Sequence, residues 1–246
     1  MCTVATMDIS VVIPVYNEEK CIEETLRRVG AFMSLKPWSW ELIVSSDGST
    51  DKTDEIVRAI IEKRGDGKVK LLAAGKNAGK GAVVRRGALE AQGKHILVTD
   101  ADLSAPIKES DKLLAALEGG CDVAVGSRAM REKGCDVQQS FKRRLAGRIF
   151  NVLVRLLVLK DFQDTQCGFK CFKKEAARAL FREQVLNGFS FDVEILFLAK
   201  KRGLKVKEVP VMWREAKSSK VKLFRDSLGM LKELMFLRKR YRIRIV

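Results

Sequence analysis

A single histidine, His95, serves all 246 residues, and it stands inside an apolar, strand-like run. The six cysteines, Cys2, Cys21, Cys121, Cys135, Cys167 and Cys171, never fall into Cys-X-X-Cys spacing. So little imidazole and no thiol pairing argue against a zinc centre, and reduced cysteines in a cytosolic compartment are the expectation. Cys167 and Cys171, four apart with no further ligand beside them, read as small core filler. No signal peptide opens the chain, and no run of about 18 uncharged apolar residues is present, so no spanning helix is expected. Pro/Gly/Ser-rich linkers and internal repeats are missing as well. With 46% hydrophobic residues, the chain reads as one large α/β domain over residues 1–213, followed by a basic loop and amphipathic helical tail over 214–246. Acids are the minority: 31 Asp and Glu against 47 Lys and Arg give a net charge of +16. Such a balance calls for a negative partner, whether nucleic acid, an anionic lipid surface or a phosphorylated substrate. No helix-turn-helix, zinc-finger or RNA-recognition pattern accompanies the cations, which counts against nucleic acid.

What is present alternates. Residues 8–16 form a β-branched run stopped by Pro14, and Asn17 reads as the N-cap of a helix with Glu18 and Glu19 in its first turn and Ile22, Leu26, Val29 and Phe32 on its core face. A second strand from Trp40 ends in the tight turn Asp47-Gly-Ser-Thr-Asp51, and helical periodicity resumes through Ile56, Ile60 and Ile61. A third strand, Val69 to Ala73, leads to Gly75-Lys-Asn-Ala-Gly-Lys-Gly81 and a helix ending near Gln92. That loop is no P-loop, because only three residues separate Gly75 from Gly79-Lys80 and Gly81 replaces the Ser or Thr. A fourth strand, a helix over 109–118, a fifth strand from Asp122 to Gly126, and a short strand at Cys167-Gly-Phe-Lys170 follow. Asp192 and Glu194 open an apolar helical run. Alternation of this kind places ligand loops at the carboxyl ends of the strands, which puts Asn17, Asp47 and Asp102 on one rim.

The fourth strand, Ile96 to Val98, delivers Asp100 and Asp102 one residue apart. Extended chain would point both carboxylates the same way. Convergent carboxylates suit Mg²⁺ or Mn²⁺, whose shell is completed by water and phosphate oxygens, so the implied ligand is a diphosphate. Two solvated acids in a polar turn are the plainer alternative.

Pro14-Val-Tyr-Asn-Glu-Glu19, Asp47-Gly-Ser-Thr-Asp51, Asn77-Ala-Gly-Lys-Gly81, Asp100-Ala-Asp102 and Gly126-Ser-Arg128 occur in the order and spacing of family-2 glycosyltransferases, which the chain resembles. The block Asp164-Thr-Gln-Cys-Gly-Phe-Lys170, with Phe191-Asp-Val-Glu194 and Glu208-Val-Pro210, is similar to the polyprenyl-phosphate sugar transferases, above all the dolichyl-phosphate β-glucosyltransferase type and then the mannose synthases. The resemblance implies a GT-A fold: a Rossmann-like, mostly parallel sheet flanked by helices. It implies a metal-dependent, inverting transfer of a hexose, glucose before mannose, from UDP-glucose or GDP-mannose to a polyprenyl phosphate. Pro14, Tyr16 and Glu18 would border the nucleoside, and Asp47 would receive a base or ribose hydrogen bond. Lys80 would help orient the donor. Asp102 would hold Mg²⁺ or Mn²⁺, and Asp100 would sit near the nucleotide's ribose or share that metal. Arg128, Arg143 and Lys220 would hold phosphate, the Ser219-Lys220 pair would close over the donor, and Asp164 and Gln166 would contact sugar hydroxyls or orient phosphate. Ser104 stands where mannose synthases have Gln.

Two basic segments carry apolar stripes. One holds Leu145, Ile149, Phe150, Leu153, Leu156 and Leu157, and the other, from Leu223 to Tyr241, holds Leu228, Leu231, Leu234, Met235 and Leu237. Either could pack on the domain, form a homodimer contact, or lie in the headgroup plane of an anionic bilayer, giving a peripheral protein on the cytoplasmic face. Two rival readings fit the same residues: the same fold acting on a saccharide, protein or other lipid, and a non-catalytic basic docking module.

Overall fold

The computed structural model describes residues 7–130, 135–138, 140–215 and 223–243, without the side chains of 141–144, 146, 148 and 223–228. In chain order the elements are β1 (Ile9–Val15), α1 (Ile22–Ser34), β2 (Trp40–Ser46), α2 (Thr53–Arg64), β3 (Val69–Ala73), α3 (Lys80–Glu90) and β4 (His95–Val98). A short 3-10 turn (Ile107–Glu109), α4 (Ser110–Glu118), β5 (Val123–Ser127), β6 (Val137–Gln138) and α5 (Phe141–Leu157) follow. The chain continues with β7 (Lys170–Lys173), α6 (Lys174–Glu183), α7 (Phe191–Lys201), β8 (Val206–Pro210), β9 (Trp213–Arg214) and α8 (Leu223–Arg240).

Seven strands form one sheet in the order β3-β2-β1-β4-β7-β5-β8, and β6 pairs with β9 beside it. Every pairing in the large sheet is parallel except those of β7, which runs antiparallel to β4 and β5. The central strands are apolar throughout because both faces are covered. Val11 and Ile13 enter the core that includes Ile22, Leu26, Val29 and Met33 of α1, whereas Val12 enters the core of α3, α6 and α7 on the other face. This architecture bears out the expected mostly parallel sheet flanked by helices.

Several local expectations change. Pro14 does not stop the first strand; it lies inside β1, paired with Ser45. β4 accompanies β1 only as far as Val12, so the N–H that Pro14 lacks would have had no strand partner there. Asn17 is not an N-cap. It sits at φ 56°, and α1 starts five residues later, with Glu23 and Glu24 in its first turn. The short strand expected at Cys167–Lys170 begins where that segment ends, at Lys170.

β7 matters most for the site. Because it is antiparallel, its entry, residues 164–170, lies at the carboxyl ends of β4 and β5, where Lys170 pairs with Val98 and Val125. The rim thus receives side chains from a strand that runs the opposite way.

The stripe on α5 divides. Phe150 and Val154 enter the core, while Leu145, Ile149, Val152 and Leu156 remain exposed. On α8, which packs against α5, Met230, Leu234 and Leu237 are buried in the same core as Phe150. Among the described residues, no helix is long and apolar enough to cross a membrane.

Candidate active site

The loops after β1 and β2 are stapled together. The left-handed turn at Asn17 lets its Oδ1 accept the N–H of Thr50 at 2.7 Å and of Asp51 at 3.4 Å, while its own N–H reaches Ser49 Oγ at 3.1 Å. The Glu18 N–H donates to Thr53 Oγ1 at 2.7 Å. Tyr16 stands exposed beside this junction. Asp47 turns inward: its buried carboxylate accepts the N–H of Ala78 at 2.7 Å and of Gly79 at 3.0 Å. It anchors the loop that precedes α3, a task that the expectation of a base or ribose contact did not include. Gly79 has φ 102°, and a Cβ there would strike the Asn187 carbonyl, so the loop accepts only glycine at this point.

That anchoring delivers Lys80 from the first turn of α3 to Asp100, with Nζ 2.6 Å from Oδ1. The two acids do not sit side by side on extended chain as expected. β4 ends at Val98, and Ala101 and Asp102 form a turn followed by Leu103 at φ 47°. The turn is closed by the Ser104 N–H, which donates to Asp102 Oδ1 at 2.9 Å. Burial resists ionisation of Asp100, but the Lys80 ammonium outweighs it and holds the carboxyl low. Asp102 moves the other way, raised by crowding against the protein and then by the charge of Asp100. It is exposed to solvent, and among the described residues no lysine or arginine forms an ion pair with it.

This donor set fits a hard divalent cation. Among the described residues no cluster of three or more His, Cys, Asp or Glu could cage a metal. An exposed carboxylate in the field of a second one is nevertheless what Mg²⁺ or Mn²⁺ uses when substrate phosphates complete the shell.

Arg128, just past the end of β5, is paired with Asp164. Arg128 Nε and Nη2 lie 2.7 Å and 2.8 Å from the two carboxylate oxygens, and the Arg128 backbone N–H adds a contact of 2.9 Å. The Gln166 N–H also reaches Asp164, at 3.1 Å. The guanidinium lies over the Trp213 ring, 5.4 Å from its centroid. Asp164 is buried and fixes the plane of Arg128, so any part it takes in orienting phosphate runs through that guanidinium. Gln166 is half-buried, with Nε2 4.0 Å from Met230 Sδ. Ser219 and Lys220 lie outside the described residues, as does the Arg143 side chain.

Burial opposes ionisation of Asp164, yet Arg128 holds it down to about 2, against an ordinary value of 3.8. The folded carboxyl is the stronger acid. Its stabilising contribution, on the order of 2 kcal/mol, is complete above the unfolded value and disappears as pH falls from about 4 towards 2. Acid unfolding followed by circular dichroism should therefore show a steeper loss of stability over that range for the natural protein than for Asp164→Asn.

Lys170, Asp192 and Gly168 join the site without a role legible in the sequence. Lys170 Nζ lies 2.5 Å from Asp192 Oδ1 and 2.5 Å from the Cys167 carbonyl oxygen, wholly inside the protein. Gly168 backs directly onto Asp100, and a Cβ there would run into both carboxylate oxygens. The Gly-Phe-Lys segment carried the signal, but nothing local told that it faces the acids. Gly168→Ala should displace the Asp100 carboxylate and lower turnover by about a hundredfold, since misplacement near 1 Å can cost that much. Steady-state rates on a variant of unchanged thermal stability check this.

A sequence profile described as glycosyl transferase family 2 matches residues 10–181. The chain belongs to this family. The motif series from Pro14 to Arg128 lies within the matched span, and individual relatives extend the likeness of this family-2 chain beyond it. It is 36% identical over 247 residues to a dolichyl-phosphate beta-glucosyltransferase of Drosophila melanogaster, covering 96% of this chain and 76% of the relative. The same figures hold for the dolichyl-phosphate beta-glucosyltransferase of Homo sapiens. Among solved structures, glucosyl-3-phosphoglycerate synthase from Mycobacterium tuberculosis, in complex with Mn²⁺, UDP-glucose and phosphoglyceric acid, superposes with a TM-score of 0.70 at 21% identity, covering 98% of this chain and 82% of that one. That superposition establishes the shared fold.

Proposed function

We propose that this family-2 glycosyltransferase moves glucose from UDP-glucose to dolichyl phosphate or another polyprenyl phosphate, as a peripheral protein on the cytoplasmic face of a membrane. The observation that carries the reading is the 36% identity to two dolichyl-phosphate beta-glucosyltransferases across 96% of the chain. The geometry is consistent with it. Asp102, with Asp100 behind it, would hold Mg²⁺ or Mn²⁺, and the cation would supply charge neutralisation to the departing nucleoside diphosphate.

The chain's own groups do the positioning. Lys80 neutralises Asp100, which leaves Asp102 as the exposed acid of the pair. Arg128, held in plane by Asp164, offers a fixed guanidinium for phosphate; Arg143 and Lys220 would share that task, and Ser219 beside Lys220 would help hold the donor. Pro14, Tyr16 and Glu18 border the nucleoside, and Asp47 shapes that side through the loop it anchors. A lipid monophosphate is already ionised near neutral pH, so its oxygen can attack the anomeric carbon without a general base. A sugar–phosphate bond to the lipid forms, the bond to UDP breaks, and UDP leaves with the electron pair. Attack in line from the opposite side inverts the anomeric centre.

The test is transfer of radiolabel from UDP-glucose, with Mn²⁺, to dolichyl phosphate, followed by extraction into organic solvent. Label in the organic phase, dependent on the lipid phosphate and exceeding that from GDP-mannose, is the expected result. Label passing instead to saccharide or protein acceptors would overturn it.

A further inference from the structure

Four apolar side chains on α5, Leu145, Ile149, Val152 and Leu156, are between 48% and 60% exposed. Their spacing of four, three and four residues makes one stripe about 17 Å long, at 1.5 Å per residue. Phe150 and Val154 already anchor α5 to the core, so the outward stripe is a second apolar face. The adjoining α8 behaves alike: Leu234 and Leu237 are buried while Met235 and Phe236 stand half exposed. Isolated surface leucines are ordinary, but six large apolar side chains on two touching helices form a patch.

The surroundings of the patch decide its partner. The sequence of α5, residues 141–157, contains five lysines and arginines and no acid. Arg155, Lys160, Lys232, Lys239 and Arg240 are exposed on or beside the two helices. A second copy laid on this face would bring these cations together, whereas an anionic lipid surface complements them. The patch also adjoins the site. Asn151 of α5 donates to the Gln163 carbonyl at 2.5 Å, next to Asp164, and Met230 of α8 touches Gln166. Both helices thus abut the turn that holds Arg128.

We propose that the outward faces of α5 and α8 form one surface that docks on an anionic bilayer beside the active site, the apolar side chains entering the headgroup region and the cations lying over it. The proposal takes its biological sense from the lipid-phosphate acceptor, but its physics is independent of the chemistry.

Ile149→Glu and Phe236→Glu test it, with Leu35→Glu as control, because Leu35 is 84% exposed on the far side of the chain from these helices in sequence and belongs to neither. The natural protein should sediment with phosphatidylcholine vesicles containing phosphatidylserine, more weakly with phosphatidylcholine alone, and less as salt rises. Either docking-face variant should lower the partition coefficient by about tenfold or more, and the control should leave it unchanged. Glucose transfer to a short, water-soluble polyprenyl phosphate should be the same in all four proteins, while transfer to dolichyl phosphate in vesicles should fall in step with binding. Vesicle binding unaffected by both variants would overturn the proposal, and so would a natural protein that ignores vesicles but forms a dimer that Ile149→Glu dissolves. Vesicle binding that depends on Ile149 and Phe236, without transfer to either acceptor, would uphold the docking surface and refute the catalytic reading instead.

Discussion

Asp102→Ala is expected to lower glucose transfer by about a thousandfold and to abolish the Mn²⁺ dependence of UDP-glucose binding. Losing a cation that offsets several kcal/mol of developing negative charge has that size, at about 1.4 kcal/mol per tenfold. The fold should barely notice. Asp102 is exposed, and among the described residues its hydrogen bonding is the turn closure with Ser104, so thermal stability should stay within about 0.5 kcal/mol of the natural value. Asp100→Ala is a different experiment, since it strips Lys80 of its partner and mixes loss of donor orientation with loss of a ligand. Titration calorimetry with and without Mn²⁺, beside steady-state transfer rates, separates the two. Near-normal turnover in Asp102→Ala would remove this carboxylate from the chemistry and leave the Asp100–Lys80 pair without its proposed purpose.

What could be read from sequence followed local periodicity. The apolar run Ile96–Val98 and the two acids after it identified the end of β4, and the first three strands and their helices lay close to where the pattern placed them. Asn17 is ambiguous in sequence because an Asn before two glutamates suits an N-cap and a left-handed turn equally well. What escaped depends on partners distant in the chain. Arg128 and Asp164 are 36 residues apart, and each taken alone reads as a group offered to substrate; only the fold shows that one fixes the other. Asp47 likewise looked free until the loop 31 residues later closed on it. The direction of β7 has no local signature at all, although it decides that residues 164–170 reach the rim. On α5 the periodicity was legible but its meaning was not, because a helix apolar on two faces gives one broad stripe in sequence and two different environments in space.

Lys170→Met carries the largest expected change in stability. Lys170 and Asp192 are both almost fully buried, their charged atoms 2.5 Å apart. Removing the ammonium leaves a carboxylate in the interior with no cation in contact, which costs about 3–5 kcal/mol. For a chain of this length that corresponds to a fall in melting temperature on the order of 10 °C. Replacing both, as Lys170→Met with Asp192→Leu, removes the isolated charge and should recover most of the loss, because apolar packing often equals or exceeds a buried ion pair. Function should not return with stability. The pair lies behind Lys80 and Asp100: the charge of Asp192 helps hold the Lys80 proton, and that of Lys170 helps keep Asp100 ionised. A stable double variant should therefore bind UDP-glucose with Mn²⁺ more weakly than the natural protein, by about tenfold if the neighbouring charges supply some 1.4 kcal/mol of orientation. Melting curves and calorimetry on the single and double variants decide the matter. A single variant as stable as the natural protein would show that Asp192 finds another partner, and a double variant with undiminished donor affinity would reduce the pair to internal scaffolding.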